Sequence, residues 1–242
     1  MTARAALAAT AWSAIAACGG SSQVELCEAS QAVRLPRSQC GPGLELTPVN
    51  QYQGAIAAVA DREDAVVLIN GNCSGTLIAA AAGPVVLTAG HCVVPGDPVL
   101  LAFNVEDQPD GDRLVTDGAV LERADEPDYA LIRLDRMPAI APTPLTTRPS
   151  DRLAVIQHPR GGPKVVAEGN YGGACGGQIF YTDLDTLVGS SGAGVVTRAG
   201  YLLGVHTDGD CTRDGTGSNR GWSAGSIVAA SLYLQDADIA DR

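Results

Sequence analysis

The chain has 242 residues, enough for one large all-β domain or two small ones around a substantial core. Its 27 acidic and 16 basic residues leave a net charge of −11 with no basic stripe, which argues against a nucleic-acid partner. The 29 glycines and 14 prolines recur at short intervals, a pattern suited to many short strands.

Arg4 precedes an apolar run over residues 5–17, too short to span a bilayer but suited to the core of an export signal. The run ends in Ile15-Ala16-Ala17-Cys18, followed by Gly19-Gly20-Ser21-Ser22, and resembles the lipobox of bacterial lipoproteins. That resemblance implies a lipid on Cys18, a flexible tether and anchoring to the outer membrane; the alternative is plain secretion. Residues 1–17 are thus expected as export signal and 18–48 as tether or pro-segment. Without Cys18, six cysteines remain, an even number that suits three disulfides in an oxidising compartment. No CxxC or HxxxH spacing supports a zinc site, and no metal is expected. Cys27 and Cys40 are expected to close a small loop on each other.

From Gln51 the pattern becomes short apolar segments bounded by Gly, Asp or Asn: residues 54–60, 65–70, 73–80 and 84–89, each of strand length. The segments Cys73-Ser74-Gly75-Thr76-Leu77-Ile78 and Leu87-Thr88-Ala89-Gly90-His91-Cys92 resemble paired strands of the chymotrypsin-fold serine proteases. The resemblance implies a Cys73–Cys92 disulfide and makes His91 a general base. An acidic loop over residues 107–112 and a strand over 114–121 follow. Asp128-Tyr129-Ala130-Leu131-Ile132-Arg133-Leu134 then resembles the family's Asp-x-Ala-Leu-x-x-Leu strand, whose Asp orients the histidine. Asp125 and Asp135 are rival carboxylates without that sequel.

Prolines from Pro138 to Pro149 mark a connector between two barrels, placed over residues 49–140 and 141–225. Strands are expected over residues 153–159, 164–167 and 178–181, with His158 structural. In Gly189-Ser190-Ser191-Gly192, Ser191 is the expected nucleophile, and the N–H groups of Gly189 and Ser191 an oxyanion hole. Ser190 and Gly194 depart from the family, which often has Asp and Pro there. The first departure removes the carboxylate that pairs with a newly cut N-terminus; the second implies a less rigid nucleophile turn.

Asp185, six residues before Ser191, stands where trypsin selects basic side chains, whereas His206 has the spacing at which glutamyl endopeptidases bind acidic ones, so specificity stays open. Thr207, Asp208 and Gly209 are expected to form the edge along which a peptide adds as a strand. Cys175 is expected to pair with Cys211 across the pocket wall. Residues 226–242 are expected as a C-terminal helix, with Ile227, Val228, Leu232 and Leu234 on one face, and a tail.

The resemblance covers about residues 50–236 and gives the order His, Asp, Ser. It implies an all-β protein of two six-stranded antiparallel β-barrels with a short C-terminal helix, a monomeric serine endopeptidase acting on polypeptides without a cofactor. A catalytically silent peptide-binding module and an esterase with the same triad are the alternatives.

Overall fold

A computed structural model describes Cys27, residues 38–237 and residues 239–240. The expected export signal, Cys18 and most of the expected tether lie outside the described residues. Among the described residues no helix is long and apolar enough to cross a membrane.

Strands β1 (Thr47–Pro48), β2 (Val66–Ile69), β3 (Cys73–Ile78), β4 (Val85–Thr88), β5 (Val99–Phe103), β6 (Leu114–Asp125) and β7 (Asp128–Leu134) occupy the first half. The second half holds β8 (Arg152–Gln157), β9 (Val165–Cys175), β10 (Gln178–Thr182), β11 (Gly194–Thr197), β12 (Leu202–Asp208) and β13 (Asn219–Ser223). One closed barrel runs β2-β3-β4-β7-β6-β5. The other runs β9-β10-β13-β12-β11-β8 and closes through antiparallel pairing of β8 with β9, with β1 added outside β9. The fold is therefore two six-stranded antiparallel barrels, as the resemblance implies.

Strand periodicity explains how the barrels fill and why they stay together. On β4, Val86 faces the first barrel's interior, whereas Val85 and Leu87 face a core shared with Val196, Leu202, Val205 and Trp222 of the second half. On β7, Ala130 and Ile132 point inward and Tyr129 and Leu131 point to the shared core. Strands with both faces covered read as continuous apolar runs, which is why β4 and β7 lack polar alternation. The connector is stitched to both sides: Thr143 N–H donates to Leu77 O at 2.8 Å, and Leu202 N–H to Pro144 O at 2.8 Å.

Four expectations are corrected. Residues 54–60 form turns leading into a short helix α1 (Val59–Arg62), whose Val59 and the preceding Ile56 cap the outside of β8 through Ala154 and Ile156. The C-terminal helix α2 (Ala224–Ala230) begins earlier and stops sooner than expected. Ser223 caps it by accepting from Ser226 N–H at 3.1 Å, Leu234 is buried beyond the helix, and Leu232 is 77% exposed. Cys27 bonds to Cys175 and Cys40 to Cys211, whereas Cys73–Cys92 is as implied. Loop-closure economy favours near neighbours, but Cys27 and residues 38–48 lie against the second barrel, which gives both cysteines distant partners. Residues 38–48 are consequently part of the body: β1 joins β9, and Ser38 Oγ donates to Thr186 O at 2.6 Å.

Candidate active site

His91 sits on a single 3₁₀ turn, Gly90–Cys92, just beyond β4, with Cys92 tied to β3 by the disulfide. Gly90 is required there: a Cβ would fall 2.3 Å from Ala124 O and 2.9 Å from Asp128 Oδ1. The close approach lets Asp128, the buried first residue of β7, use both oxygens on one residue. Oδ1 accepts from the His91 backbone N–H at 3.0 Å, and Oδ2 lies 2.7 Å from His91 Nδ1. The imidazole is 42% exposed. The rivals are placed otherwise: Asp125 is an exposed partner of Arg123, and Asp135 is exposed on the far end of β7.

Ser191 lies in the turn between β10 and β11, wedged against the first barrel. Ser74 N–H donates to Ser191 O at 2.8 Å, and a Cβ on Gly192 would fall 2.0 Å from Thr88 Oγ1. Thr88 ends the strand that leads to His91, so the imidazole-bearing and hydroxyl-bearing turns abut at the barrel junction. Gly192 N–H also donates to His206 O at 2.8 Å, which ties the turn to β12.

Two backbone N–H groups of the turn are left without an acceptor among the described residues. Val188 O accepts from Arg160 N–H at 2.6 Å, and because a trans peptide points its C=O and N–H in opposite directions, Gly189 N–H faces away from Arg160. Gly189 has φ +97°, and a Cβ there would meet Arg160 N at 2.5 Å, so only glycine fits. Ser74 Oγ–H fixes the next peptide by donating to Gly189 O at 2.9 Å. Among the described residues no acceptor takes the N–H of Gly189 or Ser191. Two unspent donors flanking a serine hydroxyl can stabilise an oxyanion.

Both family departures have local explanations. Ser190 Oγ accepts from Leu187 N–H at 3.0 Å while Ser190 N–H donates to Leu187 O at 3.0 Å, so the turn closes on itself without an N-terminal ammonium. A Cβ on Gly194 would lie 2.4 Å from Leu202 Cδ1 and 2.6 Å from Thr76 Oγ1, so a side chain there would require those two side chains to shift. Gly194 is buried and ladder-paired with Val205.

The expected specificity residues do other work. Asp185 is buried and its carboxylate accepts from Cys40 N–H at 2.6 Å and Glu45 N–H at 2.5 Å, anchoring the N-terminal segment. His206 is buried, with Nδ1 2.5 Å from Tyr181 Oη and its ring also hydrogen-bonded to the Arg220 backbone. Burial, followed by the nearby His91, lowers its pKa to about 3, so it is neutral. Neither presents a free charge to a ligand. Pairing of β12 with β13 shifts register between His206 and Asp208, which sets Thr207 out of the ladder; Thr207 Oγ1 donates to Asp208 Oδ2 at 2.9 Å and Gly209 follows at the strand end. Ser74 was not singled out by the sequence, because its three contacts with the nucleophile loop and His158 exist only once the barrels meet.

Burial also holds His158 down, to about 4. Both histidines therefore stay neutral in the folded protein while unfolded ones protonate near 6.5, so their contribution to stability is full above pH 6.5 and is lost as pH falls toward 4 and below. The urea midpoint should drop across that window, and His206→Gln should flatten the drop. An equal slope in both proteins would refute the assignment.

The acidic trio Glu63, Glu106 and Asp110 has ligand-like spacing, but Lys164 Nζ already sits between the first two, 2.6 Å from Glu106 Oε1 and hydrogen-bonded to Glu63 Oε2. An ammonium there fills the place of a cation.

A family model described as trypsin-like peptidase domain matches residues 73–205. No match was found among curated proteins. Among solved structures, a serine endoprotease from Yersinia pestis is similar with TM-score 0.60 and 19% identity, covering 76% of this chain and 68% of that one. The Rv3671c protease from M. tuberculosis in its active form is similar with TM-score 0.60 and 20% identity, covering 84% of this chain and 94% of that one. At such identities the likeness is one of fold.

Proposed function

The chain belongs to the trypsin-like peptidase family, and from that premise we propose that it is an extracytoplasmic serine endopeptidase using His91, Asp128 and Ser191. His91 takes the Ser191 proton as the hydroxyl attacks a peptide carbonyl, and Asp128 orients the imidazole and offsets its positive charge. The N–H groups of Gly189 and Ser191 receive the oxyanion, the leaving amine takes the proton from His91, and water hydrolyses the acyl-enzyme with His91 again the base. The observation that carries this reading is the two-oxygen grip of Asp128 on His91, ring and backbone together. It leaves Nδ1 protonated and the other ring nitrogen as the acceptor.

A fluorophosphonate probe should label the wild type, and Ser191→Ala should abolish both labelling and peptide hydrolysis. A folded wild type left unlabelled under conditions that label a related protease would sink the proposal. Three disulfides are in keeping with an oxidising compartment. The lipobox-like run extends the proposal to an outer-membrane lipoprotein acylated on Cys18, testable by mass spectrometry of the mature N-terminus. An unmodified terminus elsewhere would refute that extension.

A further inference from the structure

A cavity of about 530 Å³ opens beside the nucleophile turn, walled by Leu187 and Val188 on one side, Thr212 and Arg213 on another, and by Gln39 of the N-terminal segment. Arg160 completes the wall, and its backbone N–H is the group that holds the Val188 carbonyl. Leu187 and Val188 belong to the turn that Ser190 closes by hydrogen bonding to Leu187, so the cavity lies against the segment that carries Ser191.

Its electrostatics run against the rest of the chain. The protein carries a net charge of −11, yet the cavity is lined by two arginines and no carboxylate. Asp185, the acid that could have offset them, is buried on the backbone N–H groups of Cys40 and Glu45. Asp214, next to Arg213, is held by Thr212 and Thr216, whose hydrogen bonds lower its pKa to about 2. Among the described residues neither guanidinium has an ion-pair partner, and both side chains are exposed. Arg160 also stands at φ +56°, a left-handed conformation that costs an ordinary residue about 1–2 kcal/mol. Such strain at a site wall fits a side chain kept for its chemistry.

We propose that this cavity selects an acidic side chain of the polypeptide substrate beside the scissile bond, its carboxylate held by Arg160 and Arg213. The inference rests on the serine-peptidase reading and deepens it. Guanidinium forks match carboxylates, and charge-assisted hydrogen bonds of this kind are the stronger ones. The stapled N-terminal segment supplies a wall of the site, so Cys40–Cys211 and Asp185 support specificity by holding Ser38 and Gln39 in place.

The test is a set of peptides differing only in Glu, Gln or Lys beside the cut, with fluorophosphonate labelling run in parallel. The wild type should cleave the Glu peptide about ten- to a hundredfold faster than the Gln peptide, by kcat/KM. Arg213→Gln should lose about tenfold of that preference, mainly through KM, and Arg213→Glu should move it toward Lys, while the probe still labels Ser191. The preference should shrink with added salt, as expected for exposed charges. A labelled wild type that cleaves Glu and Gln peptides alike overturns this proposal and leaves the peptidase reading standing. A wild type that is neither labelled nor active overturns both.

Discussion

Asp128→Asn is expected to lower kcat on peptides by about 10⁴-fold while the protein remains folded. Asparagine has the same shape, and its carbonyl oxygen can still accept from the His91 backbone N–H, as Asp128 Oδ1 does at 3.0 Å. Its amide then faces Nδ1, where the carboxylate oxygen now lies at 2.7 Å. An N–H donor at that place favours the tautomer with the proton on the other ring nitrogen, which can no longer accept the proton of Ser191. The buried negative charge that offsets the imidazolium is lost as well. Steady-state kinetics with thermal unfolding in parallel separates this from a folding defect. A folded variant within tenfold of wild-type turnover would show that another group orients His91.

The parts of this site that were legible beforehand are those fixed by neighbours in sequence. TAGHC places a histidine one residue from a disulfide, Asp-Tyr-Ala-Leu-Ile-Arg-Leu starts a buried strand with its acid, and Gly-Ser-Ser-Gly supplies the small residues that a tight turn needs. Features decided across the barrels were not legible. Asp185 has the spacing of a specificity residue, yet a segment about 140 residues earlier in the chain takes its carboxylate. The cysteine pairing departs from expectation for the same reason. β5 escaped notice because Val99–Phe103 is one short apolar run between Pro98 and a polar loop, and β13 because Asn219–Ser223 is a polar strand buried only by its partners. Gly194 reads as a missing proline until Leu202 and Thr76 are seen pressing on it.

The largest effect on stability is expected from Lys164→Met. The lysine lies at the start of the second barrel's hairpin with its side chain fully buried, donating to Glu63 before the first barrel and to Glu106 in the loop after β5. Its backbone adds two links, N–H to Val105 O at 2.8 Å and O from Val49 N–H at 3.2 Å. Burial pushes the Glu63 carboxyl up to about 7 against the pull of the lysine. Against the same upward push, the Lys164 hydrogen bond and charge hold Glu106 below its usual range. Methionine would fill the volume but leave two buried carboxylates facing each other, and removing one partner of a buried pair costs about 3–5 kcal/mol. For a chain of this size that is a fall in Tm of roughly 6–20 °C. With the ammonium gone the Glu63 pKa rises further and that of Glu106 rises above its unfolded value, so the deficit should be full above the folded pKa values and shrink as pH falls from them toward the unfolded value of 4.5. Adding Glu63→Gln and Glu106→Gln should recover much of the loss at neutral pH, because it removes the charges that methionine strands. A loss under 1 kcal/mol in Lys164→Met, or one that does not change between pH 7 and pH 4.5, would mean that the three side chains do not act as one charge cluster.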